Sequence, residues 1–387
     1  MQKILIINTS TNDLCVLQAL FQALKDRQKF FYHLSPHPSH CENGETFKSK
    51  KIPALFNLEN RFSAFIFLLL LPLLWLGFFC LFIYLKLFEN YQTLILTNYQ
   101  EKICLTRIAR FFKFNVLWLE LPEYTETKIG SVSNRILRRQ AKLAKLVVFS
   151  TKSKELLEKK SHQKENLHLI IPGISQKNLQ RQENIFGELA HNQGETKKRK
   201  FFTVGIVADL NNKKIGEKLE KIFQAVKKSL IVVPFTQVII VGEGEERKNL
   251  GWQTKKLEID NLIWFVGGPN FPRPGSLKHL KKWLDGFDCL ISAGKNVDLN
   301  ELQIALYAMA NHLPIIAPEN AGFETIIENH RNGSLINTDN SDDIAQELIR
   351  LQQSKELRKK YGQEAARDVQ ERFTISRAAD QLEKLLN

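Results

Sequence analysis

The feature of this sequence that most constrains its fold is a long apolar segment. Residues Phe62–Leu85 form a run of 24 amino acids without one charged side chain. A helix of this length and composition can cross the hydrocarbon core of a bilayer. Because 61 residues precede the run, we do not expect it to be a signal peptide. The chain must therefore either touch a membrane or bury an unusually apolar helix.

The positive charge of the chain is concentrated in the half that carries this run. Residues 1–175 hold 24 Lys and Arg against 13 Asp and Glu, whereas residues 176–387 hold 31 against 28. A basic surface can bind nucleic acid or anionic lipid, and beside an apolar anchor we expect lipid and no nucleic acid. The five cysteines are scattered without a CxxC pair, which argues against a zinc site or a disulfide framework.

Short runs rich in β-branched residues alternate with helical segments along both halves of the chain. Examples are Lys3–Asn8, Thr93–Thr97 and Val116–Leu119 in the first half, and Phe201–Val207 and Gln237–Val241 in the second. Strands that alternate with helices form parallel, doubly wound sheets. The sequence therefore predicts an α/β protein with two Rossmann-like lobes.

Changes in composition suggest where the lobes begin and end. Residues 176–200 are polar and finish with KKRK, which is typical of a linker. We therefore predict a first lobe at 1–175, a second lobe at 201–355, and two charged C-terminal helices at 356–387. We expect these last helices to pack back towards the first lobe.

A series of motifs in the second lobe follows the order and spacing of one enzyme family. The motifs are VGEGEER at 241–247, LIWFVG at 262–267, DCLIS at 288–292, AMANHLPII at 308–316, AGFETII at 321–327 and LRKKYGQEAARDVQERF at 357–373. Together they resemble the glycosyltransferases of the GT-B fold, in the large family 4 or glycogen-synthase-like group. The first lobe matches this family only in its alternating pattern.

This resemblance implies a transferase that moves a sugar from a nucleotide diphosphate sugar to an acceptor with a retaining outcome. Most members need no metal, and we expect no cofactor here. They neutralise the diphosphate with Arg and Lys side chains and a helix N-terminus. By the same resemblance, the second lobe would bind the donor and the first lobe the acceptor.

The basic donor motif of the family, G-R-x-x-x-x-K-G, is altered in this chain. Its Arg position is Ile206, while Lys213 and Lys214 stand near its Lys position. We expect these two lysines to meet the donor phosphates. The alternative is that they are the solvated start of a lysine-rich helix.

The family's E-x7-E motif is altered as well. Its second Glu, which contacts the donor ribose in the family, is Tyr307 in this chain. Its first Glu falls near Leu299, so Glu301 is our catalytic candidate, against the alternative of a capping-type residue in the first helical turn. The Gly that the family has after this helix is His312.

The next loop keeps the family pattern better. Backbone amides of Asn320, Ala321 and Gly322 precede a predicted helix and could hold phosphate oxygens, with Glu324 in the same donor site. The alternative is a plain turn. In the first lobe, Glu120 follows a predicted strand, and we select it as general base or acceptor contact against a surface-loop alternative.

The strands on either side of the apolar run should share one sheet, which is incompatible with a full bilayer crossing. Pro72 and Gly77 could bend the helix back to its entry face. We interpret the run as a monotopic insertion near the acceptor cleft, with a buried helix or a true span as alternatives. The basic helix predicted at Asn134–Leu146 could rest on anionic headgroups. The membrane-facing candidates are Phe62, Phe67, Leu70, Trp75, Phe79 and Phe82.

These observations predict a membrane-associated glycosyltransferase of envelope polysaccharide synthesis, at the cytoplasmic face of the plasma membrane. Its partners would be a nucleotide diphosphate sugar, a lipid-linked or glycan acceptor, and the membrane surface. The changes at Ile206, Tyr307 and His312 support an alternative. In that alternative the chain is a non-catalytic GT-B protein that binds glycan or partners an active glycosyltransferase.

Overall fold

The chain divides into two compact units, each with its own parallel sheet. The first unit comprises residues 1–172 and 375–387, and the second comprises residues 173–374. Parallel sheets flanked by helices confirm the predicted α/β class. The predicted linker at 176–200 lies outside the described residues. The computed structural model describes residues 2–8, 17–25, 29–35, 47–51, 61–87, 90–121, 131–160, 164–175, 201–267, 276–294 and 297–386.

The first unit is built on a seven-stranded parallel sheet. Its strands are β1 (Gln2–Ile7), β2 (Lys29–Ser35), β3 (Phe47–Lys51), β4 (Tyr91–Leu96), β5 (Asn115–Glu120), β6 (Lys145–Val148) and β7 (Leu167–Leu169). They lie in the order β3-β2-β1-β4-β5-β6-β7. The described helices of this unit are α1 (Gln18–Lys25), α2 (Arg61–Leu87), α3 (Tyr99–Phe111), α4 (Ser131–Ala141), α5 (Thr151–Lys159) and α12 (Ile375–Leu386).

Helix α2 contains the apolar run and connects β3 with β4. Strand β4 pairs in parallel with β1, with Leu94 opposite Leu5. The strands before and after the helix therefore share one sheet, as the sequence predicts. The expected bend is wrong, because α2 continues as one helix through Pro72 and Gly77.

One face of α2 is part of the core of the first unit. Phe67, Phe82 and Leu85 are buried in the cluster that also holds Trp118 of β5. The ring of Phe82 lies 5.4 Å from the ring of Phe114, measured between centroids. Burying a side chain of this size stabilises a fold by about 1.5–3 kcal/mol. The helix is thus a structural element of the sheet layer as well as a surface.

Helix α12 also belongs to the first unit, although the second unit precedes it in the sequence. The side-chain amide of Asn115 and the amine of Lys145 each donate to the carbonyl oxygen of Leu385 at 2.7 Å. The helix packs against α1 on the same unit. These contacts attach α12 to the strands β5 and β6.

The second unit is built on a six-stranded parallel sheet. Its strands are β8 (Phe202–Val207), β9 (Thr236–Val241), β10 (Ile263–Val266), β11 (Cys289–Ile291), β12 (Ile315–Pro318) and β13 (Ser334–Ile336). They lie in the order β10-β9-β8-β11-β12-β13. Its described helices are α6 (Lys213–Ser229), α7 (Arg247–Lys256), α8 (Ser276–Leu284), α9 (Leu299–Ala310), α10 (Ser341–Gln353) and α11 (Lys355–Arg372).

Candidate functional site

The candidate donor site lies at the carboxyl ends of β8, β11 and β12 in the second unit. The strand order reverses at β8, because β9 pairs with one side of it and β11 with the other. In open parallel sheets, ligands bind in the crevice beside such a reversal. The loops and helix starts after these strands carry Lys213, Lys214, Glu301 and residues 320–324. The structure thus brings most of the predicted donor residues to one edge.

The loop after β8 places two lysines at the start of α6. The side chain of Asp209 accepts hydrogen bonds from the backbone and side-chain nitrogens of Asn211, at 3.0 and 2.8 Å. Asn212 caps the helix by accepting from the backbone N–H of Lys214 at 3.1 Å. Lys213 and Lys214 are both exposed. Their charges add to the positive end of the helix dipole, which favours anions there.

Two glycines let the turn after β9 lie directly on the turn after β8. A Cβ atom added at Gly242 would lie 2.0 Å from the carbonyl oxygen of Ala208. One added at Gly244, whose φ is +154°, would lie 2.1 Å from the carbonyl carbon of Leu210. The GEG sequence therefore serves backbone packing between neighbouring turns.

The three altered family positions have separate structural settings. Ile206 is fully buried inside β8, and Tyr307 lies in the buried helix α9 with 8% of its surface exposed. His312 follows α9 with a left-handed φ of 59°, a conformation that suits Gly. A Cβ atom at Gly362 of α11 would lie 2.0 Å from the carbonyl oxygen of His312. His312 therefore occupies a turn against which α11 packs.

Asp298 and Glu301 begin helix α9 at the carboxyl end of β11. Asp298 is the N-cap, and its side chain accepts from the backbone N–H of Glu301 at 2.7 Å. Burial raises the pKa of the Asp298 carboxyl, and the negative charge of Asp209 acts in the same direction. Glu301 lies over Gly294, where an added Cβ atom would come within 1.9 Å of its carboxylate. The capping residue is therefore Asp298 and not Glu301. The side chain of Glu301 lies at the carboxyl end of β11.

The loop after β12 holds a carboxylate of its own. Glu324 accepts from the backbone N–H of Gly322 at 2.9 Å and also from that of Asn320. Two of the amides that we predicted for phosphate therefore donate to this side chain. The backbone N–H of Val297 donates to the carbonyl oxygen of Ala321 at 2.9 Å, which joins this loop to the one before α9.

Glu120 lies in the first unit at the carboxyl end of β5. Its carboxylate is 2.9 Å from the amine of Lys102 on α3, and both side chains are almost completely buried. Lys102 also donates to the carbonyl oxygen of Leu119 at 3.0 Å. The pair is a buried structural contact of this unit. The role of Glu120 as a general base or acceptor contact stays a prediction.

The outer face of α2 is an apolar stripe, defined as Phe65, Leu69, Leu73 and Leu76, each 65–68% exposed. These residues recur at the helical spacing of three to four. Among the described residues, α2 contains the one segment, Leu69–Lys86, that is long and apolar enough to cross a membrane.

This stripe corrects part of the predicted membrane face. Phe67 and Phe82 are fully buried, because the helical period turns them towards the sheet. Leu70 and Trp75 are half-buried, and Phe79 is 37% exposed with its ring centroid 5.0 Å from that of Phe112. The side chain of Phe62 lies outside the described part of the structure. Because α2 is apolar on all sides, a count at the 3.6-residue period could not have separated the two faces from the sequence.

Basic side chains lie on helices α3 and α4 of the first unit. Helix α3 packs against α2, and α4 packs against α3. Phe111 of α3 is 72% exposed and its ring centroid lies 6.0 Å from that of Phe79. The exposed cations of α3 and α4 and of the turns that follow them are Arg107, Arg110, Lys113, Arg135, Arg138, Arg139 and Lys142.

Known proteins share this sequence pattern and this architecture. Residues 198–354 match the sequence model of the family described as glycosyl transferases group 1. No curated protein matches the chain. Among solved structures, a glycosyltransferase from Rickettsia africae has a TM-score of 0.73 at 14% identity, over 100% of this chain and 97% of its own.

Two further solved structures share this fold. HepE from Anabaena, crystallised with UDP, has a TM-score of 0.74 at 12% identity, over 100% of this chain and 99% of its own. Sucrose-phosphate synthase from Thermosynechococcus elongatus has a TM-score of 0.71 at 15% identity, over 100% and 98%. At these identities the likeness establishes a common fold. The family match covers residues 198–354, so the comparisons show that the chain has the GT-B fold and that its second unit is similar to the group 1 glycosyltransferases.

Proposed function

We propose that this chain is a glycosyltransferase that works at a membrane surface, where it moves a sugar from a nucleotide diphosphate sugar to a lipid-linked or membrane-proximal glycan. The observation that carries the membrane part is the apolar stripe on α2. Four large apolar side chains are left in solvent on a helix whose opposite face is buried. Moving one such side chain from water into lipid is favourable by about 1.5–3 kcal/mol. The cytoplasmic face of the plasma membrane is the location that we propose.

The exposed cations of α3 and α4 complement this surface. Anionic headgroups attract Lys and Arg side chains by about 1 kcal/mol each near a bilayer. A helix half buried in its own protein and half in lipid lies along the bilayer without crossing it. This arrangement is compatible with β1 and β4 pairing in one sheet.

Flotation with lipid vesicles tests the membrane surface. Deleting the whole run would remove the buried Phe67 and Phe82, so the sharper variant changes only the stripe, with Phe65, Leu69, Leu73 and Leu76 replaced by Gln. We expect this variant to stay folded and to lose vesicle binding. A matched control replaces the exposed Ile231 and Val232 of the second unit by Gln. Equal binding of the stripe variant and the wild type would refute the membrane part.

For the donor we propose the edge formed by Lys213, Lys214, Glu301 and the loop with Asn320–Glu324. Its two lysines and the N-terminus of α6 would neutralise the diphosphate as the leaving group departs. HepE was crystallised with UDP and with UDP-glucose, so UDP-glucose is the first donor to test. A retaining outcome for a hexosyl donor remains part of the proposal.

The altered donor positions favour a second candidate, a GT-B protein that binds glycan or a partner without transferring sugar. Ile206 is buried within β8 and offers no charge to a diphosphate. Thermal unfolding with UDP-, GDP- and ADP-sugars separates the two candidates. A bound donor at one hundred times its Kd stabilises the fold by about 2.7 kcal/mol. Stabilisation that disappears in Lys213→Ala/Lys214→Ala would support the enzyme, and no stabilisation by any donor would support the second candidate.

A further inference from the structure

A second concave surface lies on the outside of the second unit, between helix α7 and the edge strand β10. It is an open groove of about 640 Å³ lined by Arg247, Lys248, Gly251, Trp252, Lys255, Ile263, Trp264 and Phe265. That volume lies within the range of sites that hold small-molecule ligands. The sheet order places β10 at the edge, paired with β9 on its one described side. We call this surface the tryptophan groove.

The two tryptophans of this groove are unusually exposed. Trp252 on α7 is 71% exposed and Trp264 on β10 is 56% exposed. Large aromatic side chains are usually well buried, and exposed apolar patches on soluble proteins often mark binding sites. Both indole side chains line the same open groove. The ring of Trp252 already has one partner within the chain, because the amine of Lys255 lies 5.3 Å from its centroid.

The groove is also positively charged. Three of its lining side chains are cationic, and none of the lining residues that the structure describes is a carboxylate. Arg247 is partly neutralised by Glu243 at 3.1 Å. Lys248 is exposed to solvent beside it, and Lys255 lies over the indole. An anionic ligand with apolar faces would satisfy both features of this surface.

The groove extends away from the candidate donor site along helix α7. Helix α7 begins at Arg247, in the turn after β9, and Trp252 lies five residues further along it. At about 1.5 Å per residue, this moves Trp252 by roughly 7 Å along the helix axis. The donor residues lie after β8, β11 and β12, on the other side of β9 from β10.

We infer that the tryptophan groove binds an acidic oligosaccharide, a stretch of glycan that carries carboxylate, sulfate or phosphate groups. The C–H groups on one face of a pyranose ring are apolar and weakly positive, and they pack well on the electron-rich face of an indole. The lysines would meet the acidic substituents. A glycosyltransferase that holds its glycan at a second place keeps the polymer near its active site between transfers. The inference rests on the chain being a glycosyltransferase, and on neither the donor residues nor the membrane surface.

Calorimetric titration of the full chain tests this inference with heparin hexasaccharide, whose sugar rings carry carboxylates and sulfates. We expect Trp252→Ala and Trp264→Ala each to raise the Kd on the order of tenfold, as for aromatic anchors elsewhere. Lys248→Gln/Lys255→Gln should weaken binding more in low salt than in high salt, because high salt already screens the attraction between the lysines and the acidic groups of the ligand. Phe111→Ala, an equally exposed aromatic in the first unit, should leave the Kd unchanged.

Three results would overturn the inference. The first is no binding of the hexasaccharide, and the second is equally tight binding of inorganic polyphosphate, which has charge but no sugar rings. The third is a loss of binding to anionic vesicles in the tryptophan variants while hexasaccharide binding persists, which would make the groove a lipid contact. Donor stabilisation should be unchanged in both tryptophan variants, so failure of this inference is distinguishable from failure of the donor site.

Discussion

Replacing Lys102 by Met tests whether its ion pair with Glu120 stabilises the first unit. The two charged groups lie 2.9 Å apart, with side-chain exposures of 0% and 4%. The amine also lies 5.5 and 5.6 Å from the rings of Tyr99 and Trp118. Met fills a similar volume but carries no charge, so the Glu120 carboxylate would remain buried without its cation. Breaking a buried pair in this way destabilises a protein by about 3–5 kcal/mol.

A double-mutant cycle isolates the interaction from the cost of each single change. Removing both charges together, in Lys102→Met/Glu120→Met, should be less destabilising than the sum of the single variants. We expect a coupling free energy on the order of 2 kcal/mol, which is within the range for residues in direct contact. Urea unfolding gives the free energies. Hydrogen exchange at the amides of β5 assigns the loss to the first unit and not the second.

The same variants bear on the proposed role of Glu120. A loss below about 1 kcal/mol in Lys102→Met, with additive single effects, would refute the reasoning, because a desolvated pair in contact must be coupled. If stability falls as expected, then Glu120→Gln, which keeps a hydrogen-bond acceptor for the amine, is the variant in which to measure turnover. Turnover lost in a stable Glu120→Gln protein would support the general-base role.

Three further predictions follow from other contacts. Gly242→Ala should destabilise the second unit by several kcal/mol in urea unfolding, because the new Cβ would lie 2.0 Å from the carbonyl oxygen of Ala208, whereas Gly251→Ala, with open space around it, should not. Asp298→Asn should raise the free energy of unfolding at pH 7, because a carboxyl with a raised pKa destabilises the fold while it is ionised. The difference from the wild type should disappear as the pH falls through the raised folded pKa towards the ordinary value of 3.8. A difference that grows in acid would contradict this prediction. Burial raises the pKa of Cys104 to about 12, so iodoacetamide at pH 8 should label the exposed Cys80 and leave Cys104 unmodified. Anionic vesicles should protect Cys80 from labelling if α2 lies in lipid.

The alternation of strands and helices could be predicted from the sequence because buried parallel strands are nearly continuous apolar runs. Strand β9 contains VIIV, and it was predicted at Gln237–Val241 and observed at Thr236–Val241. Strand β3, with the sequence FKSKK, was missed because three of its five residues are lysines. Helix α7 was missed because it buries little apolar surface, with Leu250 and Thr254 its only buried residues.

The common position of the candidate donor residues could be predicted from motif order, since the loops after parallel strands share one end of a sheet. The partners of individual side chains could not be predicted. Lys102 and Glu120 are 18 residues apart on a helix and a strand, and no local pattern pairs them. The carboxylate of Glu324 folds back on its own loop, which depends on the left-handed backbone at Asn320 and Gly322. Such contacts are set by backbone geometry that composition and periodicity do not report.

The position of α12 has a consequence for the order in which the chain folds during synthesis. Asn115 of β5 and Lys145 of β6 donate to the carbonyl oxygen of Leu385, which is synthesised more than two hundred residues after them. The first unit therefore starts first and finishes last, while the second unit, which is continuous in sequence, can fold in the interval. The apolar helix α2 does not wait for α12, because its core partners Phe114 and Trp118 follow it directly in the chain.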